Sequence, residues 1–141
     1  MSDGNWWPAW LVHPVTLVSI GSAVGGNLRY WLGSWIERTQ GWLGFPVGTF
    51  CINVGGSFAI GFLAVTFLER LSPSQREMYL LLGTGLCGGF TTFSTFEWET
   101  YKLVREGSWP MALTYIVASC LGGFIAVFAG ATLAHGIFGR S

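Results

Sequence analysis

Charge is what this chain has least of. Seven basic and seven acidic residues among 141 leave 10% of positions charged and a net charge of zero, against about a quarter charged in an ordinary soluble domain. With no basic excess there is no electrostatic footprint for nucleic acid or for an anionic lipid surface. Cysteine is scarce as well. Cys51, Cys87 and Cys120 make no CxxC pair and no ligand cluster, which argues against a disulfide framework or a zinc site and leaves them to be read as small packing residues. The N-terminus carries Asp3 where a cleaved signal would carry basic residues, and no A-x-A follows the first long apolar run. That run is therefore expected to be retained. No nucleophile and base pair is visible either, so an enzyme is not expected.

What fills the chain instead is apolar. Hydrophobic residues make up 51% of it, and the mean hydropathy is +0.51. A helix needs about 20 apolar residues to cross the hydrocarbon of a bilayer. Four stretches meet that length: roughly Val15 to Trp35, Phe45 to Leu68, Met78 to Val104 and Pro110 to Phe138. The expectation is an all-α membrane protein, a single transmembrane domain with no room for a soluble one.

Tryptophan marks the edges. Trp6, Trp7 and Trp10 sit before the first span, and Trp31, Trp35, Trp42, Trp98 and Trp109 lie near predicted helix ends, where an indole can stay half wet. His13 and His135 also fall toward span ends and read as structural. Short connections make neighbouring helices antiparallel. On the side of the termini and second loop lie Arg70, Arg76 and Arg140; opposite lie Arg29, Arg38, Lys102 and Arg105, three against four. Lys/Arg asymmetry sets orientation, so a chain this balanced can insert both ways up, and two oppositely inserted copies would form an antiparallel homodimer of the inverted-repeat kind. A failure of so few charges to report a fixed orientation would look the same. Small residues at four-residue spacing, Ala118, Gly122, Ala126, Gly130 and Ala134 in the last span, Gly21 with Gly25 in the first and Gly55 with Ala59 in the second, predict close helix packing.

The third span interrupts itself. Gly83, Gly85, Gly88 and Gly89 weaken a helix, and Thr91 and Thr92 follow, so a break is expected between Gly88 and Thr92. Irregular backbone at membrane depth survives only against protein or a wet cavity, and its free carbonyls can hold a cation. Beyond the break Phe93 and Phe96 share a face, with Thr92, Thr95 and Glu99 in an adjacent stripe. Aromatic rings have positive edges, so two phenylalanines edge-on can contact an anion without gripping it as arginine would. No Lys or Arg stands between Leu80 and Tyr101. Weak, passing contact suits conduction. The second span adds Thr49, Asn53 and Ser57 at i, i+4, i+8, and the last adds Tyr115 and Ser119 at i, i+4. Polar residues within spans are costly and by default functional, although each also serves as interhelical glue. Arg29 can draw anions toward a vestibule or snorkel to the interface. Glu97 and Glu99 read as a solvated helix end, or Glu99 as a group in proton-linked gating.

The strings GSAVGGNLRY, GTFCINVGGSFAIG and CGGFTTFSTFEWE resemble, in order and spacing, the three signature segments of the CrcB/Fluc fluoride channel family, and the resemblance covers all four spans. It implies a dual-topology homodimer of four-helix subunits in the plasma membrane, in a bacterium the inner membrane, passing fluoride passively out of the cytoplasm. It further implies two fluoride pathways along the subunit interface and a structural sodium ion at the dimer centre, held by backbone carbonyls of Gly88 and Thr91 from both subunits. By the same resemblance Phe93 and Phe96 flank the fluoride path and Asn53 lines it. Ser94, Thr95 and Glu99 form a polar track, Tyr115 and Ser119 line the pathway, and Arg29 is the basic residue of the first helix. The Trp-rich N-terminus and the pair Glu97/Trp98 depart from the pattern. Two rivals remain. A small multidrug-type antiporter needs a membrane-buried carboxylate, which the first span lacks, and a non-transporting assembly subunit would leave the hydroxyl cluster unexplained.

Overall fold

The structure, a computed structural model, describes residues 13–40, 44–69 and 73–139. Trp6, Trp7, Trp10, Trp42, Arg70 and Arg140 lie outside the described residues. Every regular element among those described is helical: α1 (Pro14–Gln40), α2 (Val47–Phe67), α3 (Pro73–Tyr79), a π-helical segment (Leu80–Cys87), α4 (Gly88–Phe90), α5 (Phe93–Arg105) and α6 (Trp109–Phe138). The expected all-α architecture is found. Proline starts several of these helices, Pro14 and Pro73 as first residues and Pro110 as the second of α6, where its missing N–H would have had no partner. The α5–α6 corner is closed by Gly107 at φ +79°. Its N–H donates to Val104 O at 3.0 Å and Ser108 N–H donates to Leu103 O at 2.9 Å, a paired closure that needs the left-handed backbone glycine allows.

Among the described residues two helices, α2 with 21 residues and α6 with 30, are long and apolar enough to span a bilayer, and only 17% and 11% of their most apolar windows are buried. A buried core helix of a soluble protein would hide that surface. Here Leu121, Phe124, Ile125 and Phe128 of α6, and Trp31 and Trp35 of α1, all stand exposed, as hydrocarbon-facing or subunit-facing side chains do. At 1.5 Å per residue, α6 is about 45 Å long, enough to cross about 30 Å of hydrocarbon at a tilt.

Glycine lets the helices meet backbone to backbone. A Cβ on Gly21 would overlap the Leu81 carbonyl, and one on Gly25 the Leu86 carbonyl, so α1 lies directly on the π-helical segment. On the other side a Cβ on Gly61 would strike the Val127 carbonyl and one on Gly130 the Phe58 carbonyl, which locks α2 to α6. The small-residue stripes of the first and last spans therefore pack as expected. That of the second does not: Gly55 has nothing within 4 Å of its would-be Cβ, and the close approaches are made by Gly56 and Gly61. Gly56 and Gly61 lie five residues apart, off the four-residue spacing of Gly55 and Ala59, and meet Thr91 and the Val127 carbonyl respectively. The cysteines divide likewise, Cys87 buried and Cys51 and Cys120 exposed, so the packing reading holds for Cys87 alone.

Gly83 and Gly85 do not break the third helix. It widens into eight residues of π-helix there, and Ser22 Oγ donates to Gly85 O at 3.3 Å, occupying a carbonyl of the widened turn. The interruption falls later, at Thr91 and Thr92, where the backbone is extended (φ −82°, ψ 158° and φ −150°, ψ 119°).

Candidate functional site

The break is braced by side chains. Thr91 N–H and Thr91 Oγ1 both donate to Cys87 O at 2.9 Å, closing α4. Asn53, one turn below the Gly56 that receives the Thr91 methyl, faces Thr92 from α2. Its Oδ1 accepts from Thr92 N–H at 2.8 Å and its Nδ2 donates to Thr92 O at 3.0 Å, so one amide satisfies both backbone groups of an extended residue. Thr92 then caps α5: its Oγ1 accepts from Thr95 N–H at 3.2 Å and donates to Thr95 Oγ1 at 3.0 Å, the usual N-cap service. In an uninterrupted helix Thr92 N–H would serve the Gly88 carbonyl and Thr95 N–H the Thr91 carbonyl. Both donors are spent elsewhere.

Beside the break lies a cavity of about 440 Å³. It brings together Asn53, Ser57, Gly88, Thr91, Phe93, Phe96 and Ser119, six of them from the predicted site and Ser57 from the predicted polar stripe of α2. Phe96 is only 9% exposed and packs on Tyr115 with ring centroids 5.0 Å apart, whereas Phe93 is 70% exposed, 5.8 Å from Phe96. One ring is thus fixed in the subunit and the other projects from it at the same cavity. The Ser119 hydroxyl is buried without a hydrogen-bond partner, so it has a donor to offer. Among the described residues no basic side chain lines this cavity.

The remaining predicted residues sit elsewhere. Arg29 and Thr95 line a second cavity of about 300 Å³ with Glu37 and Thr49, and Thr92 borders both cavities. Ser94 is exposed at the start of α5, its Oγ 3.4 Å from Thr92 Oγ1. Glu99 corrects an expectation. It is not a solvated helix end but 8% exposed, with Thr49 Oγ1 donating to its Oε1 at 3.0 Å and Tyr115 OH to its Oε2 at 2.8 Å. Only Glu97 is exposed. The difference is helical phase: Glu99 falls three residues after Phe96 on the face that α6 covers. The expectation that Thr91 and Thr92 re-satisfy freed backbone groups is met, with Thr92 doing so as the N-cap of α5.

Apolar-sided helices around an interrupted one, with neutral hydroxyls and ring edges gathered at the gap, define a small helical membrane protein. The chain belongs to the CrcB-like family: the family model described as CrcB-like protein, Camphor Resistance (CrcB), matches residues 16–131. It is similar to the "Fluoride-specific ion channel FluC" of Roseiflexus sp. (strain RS-1), 48% identical over 86% of this chain and 96% of that protein. The proteins of the same name from Oceanobacillus iheyensis (43% identical over 85% and 90%) and Agrobacterium fabrum (42% over 88% and 98%) are similar as well.

Proposed function

We propose that this protein is a fluoride-selective channel that lets fluoride leave the cytoplasm passively and so reduces its toxicity. The observation that carries the reading is the cavity at the break, where Phe96 and Phe93 offer ring edges, Ser119 an unpartnered hydroxyl and Asn53 an amide, with no lysine or arginine to trap an anion. Fluoride is small and strongly hydrated. A path for it must replace water by N–H, O–H and ring C–H donors held close together, an arrangement that penalises larger chloride. The relatives' name, shared at 42 to 48% identity, supports fluoride as the ion.

In this reading the working unit is an antiparallel homodimer, multi-pass in the plasma membrane, which in a bacterium is the inner membrane. The 70% exposed Phe93 lies at the seam between the two copies, and a pathway runs along each side of that seam. Thr95, Ser94 and the Thr49, Glu99 and Tyr115 cluster continue the polar track, and Arg29 stands in the vestibule beyond it. A sodium ion at the centre takes the Gly88 and Thr91 carbonyls of both copies. These residues fit such an ion: the N–H groups that would have used those oxygens are engaged by Asn53 and Thr92, and Gly88 has open space around it. When bound, sodium supplies a fixed positive charge that joins the two subunits.

A proton-coupled cation exchanger would need a buried carboxylate free to bind substrate. Among the described residues Glu99 is the buried one, and both of its oxygens are committed to hydroxyls, which favours the channel. The test is efflux from liposomes followed with a fluoride electrode. Fluoride release that outpaces chloride release is expected; equal passage of the two ions, or passage of neither, refutes the proposal.

A further inference from the structure

We infer that Asn53 and Thr92 are positioning residues that create the cation cradle at the break by taking its natural hydrogen-bond donors away. This rests on the sodium reading above and goes beyond it, since it assigns the making of the site to side chains that do not touch the ion. In a continuous helix each carbonyl accepts from the N–H four residues on, so Gly88 O and Thr91 O would each already hold a backbone hydrogen and have less to give a cation. Two side-chain oxygens prevent that. Asn53 Oδ1 accepts from Thr92 N–H at 2.8 Å, and Thr92 Oγ1 accepts from Thr95 N–H at 3.2 Å. The diverted donors are those that would close the two carbonyls, while Thr91 N–H keeps its ordinary helical acceptor, Cys87 O, at 2.9 Å. The turn before the cradle therefore stays closed.

Asn53 does a second thing at the same place. Its Nδ2 donates to Thr92 O at 3.0 Å, which fixes Thr92 in the extended conformation, and the same amide borders the cavity with Phe93 and Phe96. One side chain from α2 therefore sets the cation site and lines the proposed anion path. Loss of Asn53 returns Thr92 N–H to Gly88 O; loss of the Thr92 hydroxyl returns Thr95 N–H to Thr91 O. Each substitution removes one oxygen per copy from the cradle by refilling it with backbone hydrogen.

The experiment is thermal unfolding of the purified full-length protein in detergent, titrated with sodium chloride against N-methylglucamine chloride at constant ionic strength. Wild type is expected to gain stability with sodium. Asn53→Ala and Thr92→Ala should each raise the sodium concentration for half-maximal stabilisation about tenfold, the factor for one hydrogen bond of about 1.4 kcal/mol. Thr92→Ser, which keeps the hydroxyl, should behave as wild type. An unchanged sodium midpoint in both alanine variants overturns the inference while leaving the sodium reading intact. Absence of any sodium effect in wild type overturns both. If Asn53→Ala does not fold, the contrast between Thr92→Ala and Thr92→Ser decides, and equal midpoints for that pair count against the inference.

Discussion

At the scale of single residues the two phenylalanines of the proposed path differ in how much packing each has to lose. Phe96 is 9% exposed and sits in the cluster with Leu103, Ala112 and Tyr115, so Phe96→Ile is predicted to cost about 1–3 kcal/mol in stability through imperfect repacking. Phe93, 70% exposed, has little packing to lose within the subunit. Phe93→Ile is predicted to leave the unfolding temperature of the detergent-solubilised protein nearly unchanged while lowering fluoride efflux about tenfold, a lost contact of about 1.4 kcal/mol. Wild-type efflux from Phe93→Ile would remove that ring from the path. Tyr115 makes a different case. It is fully buried and donates to Glu99 Oε2 at 2.8 Å, so Tyr115→Phe leaves a buried carboxylate oxygen short of a partner, at a cost of about 1–3 kcal/mol. Chemical unfolding in detergent checks this, and a variant as stable as wild type would mean that water or a neighbour replaces the phenol. The sequence exposed the identity of these groups but not their pairing. Glu97 and Glu99 look alike on a helix end, and which one is buried depends on where α6 lies.

At the scale of elements, helix contact is decided by which glycines meet a backbone. Gly130 faces the Phe58 carbonyl too closely to admit a Cβ, and Gly55 faces open space. Gly130→Ala is therefore predicted to push α2 and α6 apart and destabilise the protein by about 2 kcal/mol or more, as overpacking does. Gly55→Ala should be neutral or stabilise by about 0.5–1 kcal/mol through better helix propensity. Melting curves of the two variants side by side decide it, and a reversed order would mean that α2 is rotated relative to this description. The stripes in the first and last spans were read from four-residue spacing, and Gly21, Gly25 and Gly130 of those stripes do meet a neighbouring backbone. In α2, Gly55, Gly56 and Gly61 offer competing faces, and spacing does not choose among them. The break in the third span was readable as a consequence of its threonines. The π-helical segment before it was not; it lies against Gly21 and Gly25 of α1, a contact between segments far apart in the chain.

At the scale of the whole molecule the apolar sides need a cover. The exposed apolar surface of α1 and α6 suits lipid, but the cavity at the break is bordered by Phe93 pointing out of the subunit, and a second copy is the cover proposed for it. Balanced flanking charge, three against four, predicts that copies insert in both orientations, since Lys/Arg bias in short loops is what fixes one. A reporter fused to the C-terminus, active on only one side of the membrane, should then give comparable signal from each side. Adding two or three lysines to the connection 106–108 should trap one orientation, and adding them to the tail after residue 139 should trap the other. Each biased variant expressed alone is predicted to lose fluoride resistance in cells, because copies of one orientation cannot form the antiparallel pair. Coexpression of the two should restore it. Full resistance from a single biased variant, with its reporter confirming one orientation, would mean that parallel copies or a lone subunit conduct, and the seam at Phe93 would then need another occupant.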